Sequence, residues 1–152
     1  MAADPTPTLL GRSLQIADGD LALASGDFIV IAGQENFLQG MQVMIDTPFS
    51  TDVFNVNYGF DIIAALSSAN PPSIIKEFIK LNLVKSITSD NRVRDVSDIA
   101  FDDETHFYEL NPGADPAAFE LARRASRQWQ ATVVINTVTG GQANLTLQGL
   151  GL

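Results

Sequence analysis

Residues 20–45 read DLALASGDFIVIAGQENFLQGMQVMI, and within this stretch the hydrophobic period changes. Leu21 and Leu23 alternate with Asp20, Ala22 and Ala24, and a second apolar run, FIVI, follows Ser25-Gly26-Asp27. Period-two alternation around a glycine-containing turn predicts a β-hairpin, and Leu14 and Ile16 extend the alternation upstream. From Gln34 onward, Phe37, Leu38, Met41, Met44 and Ile45 recur at the spacing of one helix face that ends before Pro48. Gly40 within that helix costs up to about 1 kcal/mol relative to alanine, so it is expected to mark a close packing contact.

Working outward, residues 1–12 predict an extended arm ahead of a single domain over 13–152. Asn70-Pro71 predicts the cap and first residue of a second helix. Its wide apolar surface, including Ile74, Ile75, Phe78, Ile79, Leu83 and Ile87, suits a central position. Residues 93–100 alternate as a short strand. Asp115-Pro116 opens a third helix through about Gln128, with Arg123, Arg124 and Arg127 near the end where cations suit the dipole. WQATVVINTV and NLTLQGL read as two strands joined at Gly140-Gly141. Strands at both ends with helices between them predict an α+β fold. In it, a small mixed sheet from the N-terminal hairpin, the mid-chain strand and the C-terminal hairpin packs against about three helices.

The 152 residues carry 18 acids and 9 bases, a net charge of −9 that disfavours a phosphate backbone as partner. Charge is uneven: residues 1–61 sum to −7, 62–94 to +3, 95–121 to −8 and 122–152 to +3. No apolar run approaches the ~18 residues a bilayer span requires, so no membrane partner is expected. No basic residue precedes Arg12 and no apolar leader follows it, so an export signal is not expected.

The absence of cysteine excludes disulfides and thiol chemistry, and the single His106 leaves metal binding to carboxylates. Asp102-Asp103-Glu104 lacks the ligand spacing and central glycine of a calcium loop and reads as a solvated loop. Glycines 19, 26, 33 and 40, seven apart, read as turns, with Gly40 the exception, rather than as a phosphate loop. No nucleophile sits in a recognisable activating context, so no catalytic residue, cofactor or metal is nominated.

Residues 18–101 resemble the small baseplate wedge protein of contractile phage tails and related injection systems, a family formerly called lysozyme-like and now read as the sheath initiator. The likeness rests on the Leu, Gly-Asp, apolar hairpin, the helix containing Gln39, the Thr47-Pro48 turn and Tyr58-Gly59. The family's Glu-Pro-Arg triplet falls on Asp90-Asn91-Arg92, which keeps both charges and loses the proline. Residues 102–128 look like an insertion between two strands. The resemblance implies a structural, non-enzymatic part assembled in the bacterial cytoplasm into a virion or injection-system baseplate. It implies six copies per baseplate, with larger wedge proteins, the tail sheath and possibly the tail tube as partners. Other soluble tail or secretion-machine binding modules, and a peptidoglycan glycosidase, are the rival readings.

Through the resemblance, FNVNYGFD at residues 54–61 is the corner between the first two helices. Phe54 and Tyr58 are expected to bury their rings, Asn55 and Asn57 to satisfy turn backbone, and Gly59 to take a positive φ. Asp90 and Arg92 are expected to pair bidentately and face a wedge partner. No lysine or proline blunts residues 128–152, so a C-terminal strand is expected to offer an open edge to sheath arms. The sheath-facing candidates are Val134, Asn136, Asn144, Thr146 and Gln148.

Overall fold

The computed structural model describes residues 9–67 and 69–151. The arm expected over residues 1–12 thus lies largely outside them. Of its last residues, Leu10 is buried in the core and Arg12 opens a strand.

Residues 12–32 form six very short strands rather than one long hairpin. β1 (Arg12–Leu14) pairs with β6 (Val30–Ala32), β2 (Ile16–Ala17) with β3 (Asp20–Leu21), and β4 (Leu23–Ala24) with β5 (Asp27–Phe28). The expected turn at Ser25-Gly26 is present, and Asp18-Gly19 makes a second. Both place two consecutive residues at positive φ, the geometry that suits two-residue hairpins. The three pairs meet at a closed ring of backbone hydrogen bonds. Gln15 N donates to Ile29 O (2.8 Å), Ile29 N to Ala22 O (3.0 Å), and Ala22 N to Gln15 O (2.9 Å). The result is a three-lobed knot that pairs within itself and stands apart from the main sheet.

Gly33, at φ 66°, turns the chain into α1 (Gln34–Asp46), which buries Phe37, Met41, Met44 and Ile45 as its spacing predicts. α2 (Ile63–Leu66) is a single turn. α3 (Pro72–Ile87) starts one residue later than expected, with Pro71 at the cap, and buries Ile75, Ile79, Leu83 and Ile87. Its other apolar residues point outward, so it borders the core rather than running through it.

The main sheet is antiparallel and three-stranded, in the order β7 (Val93–Phe101), β8 (Gln128–Thr137), β9 (Gln142–Gly151). Its core face sets Val133, Ile135, Leu145 and Leu147 against α1 and α3. Fully burying such a side chain contributes about 1.5–3 kcal/mol. Between β7 and β8 the chain makes α4 (Thr105–Leu110) and α5 (Pro116–Ser126), the latter capped by Asp115 accepting from Ala117 N. These helices contact β8, where Asn111 donates to Thr132 Oγ1 at 2.9 Å. The α+β class holds. The difference is that the N-terminal strands do not join the sheet, because each lobe closes its own hydrogen bonds locally.

At the corner, Gly59 has φ 106°, and a Cβ there would stand 2.6 Å from Thr47 O and 2.9 Å from Pro48 O. Both obstacles are backbone and cannot swing aside. Gly59→Ala is therefore expected to destabilise the fold by about 2 kcal/mol or more, read as a lower urea midpoint with an unchanged slope.

Candidate functional site

Asp90 and Arg92 sit where α3 hands over to β7, and the expected bidentate pair forms. Nε donates to Asp90 Oδ1 at 3.0 Å and Nη2 to Oδ2 at 2.7 Å. The remaining arm of the fork turns inward: Nη1 donates to Leu10 O at 3.1 Å, and the guanidinium lies 5.3 Å from the centre of the Phe37 ring. Leu10 O also accepts from Asn36 Nδ2 at 2.8 Å. Gly40 is the close contact its position in the helix suggested, since a Cβ there would come within 2.9 Å of Arg92 Nη2. Burial opposes ionisation of Asp90, but the Arg92 hydrogen bonds and charge outweigh it and hold the carboxyl below the usual range. The pair joins the knot's stem, α1 and β7 inside one molecule. Arg92→Ala is therefore expected to lower thermal stability clearly, where a purely outward-facing arginine would leave it unchanged. Because the Asp90 pKa is depressed, the pair's contribution is fully present above the unfolded carboxyl pKa and is lost as pH falls through the lower folded value.

The corner is built as expected at Gly59 and at Asn55, whose Oδ1 accepts from Asn57 N at 3.2 Å, while Tyr58 packs half-buried against the core. Phe54 is the correction: its ring is 100% exposed, with Val53 beside it at 88%. The reason is local, because Asp52 Oδ1 accepts from Phe54 N and Asn55 N and winds residues 52–55 into an outward loop.

The C-terminal strands divide into one interior strand and one edge. Val134 and Asn136 lie on β8, the central strand; Val134 is buried and Asn136 donates to Asp95 Oδ1 at 2.6 Å. They are not edge residues, because both sides of β8 are already paired. Asn144, Thr146 and Gln148 lie on β9, the open edge, with side chains exposed. Register settles where their backbone points. Thr137 N donates to Gly141 O, and from this pair the antiparallel alternation makes 135/143 and 133/145 hydrogen-bonded pairs and leaves 134/144 and 132/146 non-bonded ones. The N–H and C=O of Asn144 and Thr146 therefore face outward. Gln142, in the same phase, confirms it, since its outward carbonyl is taken by Gln34 Nε2 at 3.2 Å.

Two grooves flank this edge. On the core-face side, Ile31, Leu38, Val43, Asn144 and Leu145 border a space of about 530 Å³. On the other side, Phe107, Leu110, Pro112, Phe119 and Thr146 border one of about 530 Å³. A strand laid on β9 would send alternate side chains into the two. β7, the other edge, is broken by two register shifts and bears Asp95 and Asp98, features that discourage strand addition. The sequence indicated an open edge, but only the strand order identifies it.

A second apolar surface was read in the sequence as core. Ile74, Phe78 and Leu81 stand 45%, 43% and 63% exposed along one outward stripe of α3, at i, i+4 and i+7. No protein-family model matches this chain, and neither does any curated protein or solved structure.

His106 is a surface residue held between Glu109, 2.7 Å from Nδ1, and Asp98, which meets Nε2. Glu109 first, then Asp98, raise its pKa through these hydrogen bonds. Its link between α4 and β7 is complete below the unfolded histidine pKa and is lost as pH rises through the raised folded value. NMR titration is expected to place the midpoint above the usual value of about 6.5, and Glu109→Gln to bring it down.

Proposed function

We propose that this chain is a structural baseplate component of a contractile tail or injection system. In this reading it joins larger wedge subunits and starts the sheath by accepting an extended sheath arm as a further strand on β9. The observation that carries the reading is the edge itself. Residues 142–147 keep one register, are uncharged and are bordered on both faces by grooves, and the backbone groups of Asn144 and Thr146 face away from β8, toward where an added strand would lie. In β-augmentation, main-chain hydrogen bonds supply affinity while pockets for alternate side chains fix register. The outward stripe Ile74, Phe78, Leu81 offers an apolar helix face for a contact with a wedge subunit. Asp90 and Arg92 support that contact indirectly, by fixing the junction at the end of α3. No turnover is part of this function.

The outward phase of residue 146 makes a sharp test possible. Thr146→Pro removes an N–H that serves no partner within the sheet, so it is expected to fold with a melting temperature near that of the wild type. Leu145→Pro removes one that pairs with β8 and is expected to cost about 3 kcal/mol or more. Baseplates carrying Thr146→Pro are expected to assemble but to start sheaths poorly when scored by electron microscopy. Normal sheaths on folded mutant baseplates would remove β9 as the nucleating edge.

A further inference from the structure

The two grooves beside β9 differ in chemistry. The one bordered by Phe107, Leu110, Pro112 and Phe119 has no charged residue in its lining. The one on the α1 side joins the apolar side chains of Ile31, Leu38 and Val43 to two carboxylates, Glu35 and Asp46. Both acids are exposed, and neither has an ion-pair partner among the described residues. No lysine or arginine occurs from residue 13 to residue 75, so the groove's own walls supply no counter-charge.

Asp46 is out of place for α1 taken alone. It ends the helix, where the dipole is negative and an acid is unfavourable, and the last turn holds no base to offset it. Its carboxylate accepts from Gln42 Nε2 at 3.0 Å to each oxygen, and a neutral donor leaves the charge uncompensated. A cation brought by a partner would compensate it.

Register turns this asymmetry into a pattern. Successive residues of a strand point to opposite faces, and directly opposed residues on neighbouring strands share a face. Leu145 lies on the core face and Thr146 on the other, as the alternating burial of β9 shows. A residue laid opposite Leu145 therefore points into the α1 groove, and its neighbours, opposite Asn144 and Thr146, point into the Phe107–Phe119 groove.

We infer that the strand β9 accepts is one in which large apolar residues alternate with basic ones. The inference rests on the reading of β9 as an edge that takes up an extended arm, and it adds what that arm is made of. Lysine or arginine suits the α1 side because its methylene stem lies along Leu38 and Val43 while its charged head reaches Glu35 or Asp46. Branched or aromatic side chains suit the uncharged side. An arm with acids at the basic positions sets carboxylate against carboxylate. The β9 of a second copy, which is uncharged throughout, has no cation to place there.

The test is a fluorescence-anisotropy titration of the purified chain with two labelled peptides, one of alternating valine and lysine and one of alternating valine and glutamate. A third, the lysine peptide with its backbone N-methylated, cannot pair as a strand. The wild type is expected to bind the lysine peptide at least about tenfold more tightly than the glutamate peptide, with the difference narrowing as salt is raised. N-methylation is expected to abolish binding. The net charge of −9 attracts any cationic peptide, so the deciding variant is Glu35→Gln with Asp46→Asn, which alters two of 18 acids. Both side chains are exposed and keep their shape, so this variant is expected to fold and to lose most of the preference. Equal binding of the two peptides, abolished by N-methylation, would keep β9 as an accepting edge and overturn the inference, as would a preference that survives the double substitution. No binding of either peptide, or binding that N-methylation leaves unchanged, would overturn the edge reading and the inference together. Self-association in light scattering that the lysine peptide does not reverse would assign the edge to a second copy and overturn the inference as well.

Discussion

The guanidinium of Arg92 is the point at which the separately formed parts of the molecule are fastened. Its fork holds Asp90 at the end of α3, its third arm holds the carbonyl of Leu10 at the root of the knot, and its flat face lies on Phe37 of α1. Its own carbonyl accepts from Val138 N beyond the end of β8. A lysine could supply the charge but not this set of directions, because only a planar fork bonds a carboxylate twice and still donates elsewhere. Gly40 belongs to the same arrangement, since any side chain there would occupy the space that the guanidinium fills.

Around that joint the fold divides its labour between closed and open surfaces. β8 is flanked by a strand on each side, its core face joins the cluster that α1 and α3 cover where they pack on β9 and β7, α4 and α5 contact it as well, and Ala131 to Ile135 are buried without interruption. A covered central strand lets β9 remain uncovered without loss of the fold. The open edge and the outward stripe of α3 are two different surfaces on one small scaffold, a pattern that suits a joining part with more than one neighbour.

Asp102 marks what the scaffold tolerates in exchange. It is buried, its carboxyl is pushed up by desolvation against the lowering effect of Arg123, and its Oδ1 has no hydrogen-bond partner among the described residues. Arg123 stands 3.3 Å from Oδ2 and brings α5 onto the sheet. A pair of this kind contributes little net stability but orients the helix that carries it. Here that helix supplies Phe119, a wall of one groove beside β9.

Local pattern was enough to place α1 and its buried face, the C-terminal hairpin at Gly140, the cap at Asp115 and the meaning of Gly40, while the positive φ at Gly59 was read through the resemblance. Each of these depends on residues close in sequence or on one steric fact. The Asp90–Arg92 pair was read through the family resemblance, from the triplet that falls on residues 90–92, and its inward link to Leu10 lay outside that reading. What lay beyond the sequence was decided by packing over distance. The same alternation that predicts one long hairpin also fits three short lobes, and the glycines seven residues apart were the visible sign of the second solution. Phe54 and Phe78 have the composition of core residues, yet an Asx turn and the orientation of α3 put them in solvent. Which strand is the edge could not be read from residues 128–152 alone, because that depends on β7, brought to the far side of β8 from about 40 residues upstream by a chain reversal through α4 and α5. Tertiary structure decided the open surfaces, since exposure is a property of what the rest of the chain leaves uncovered.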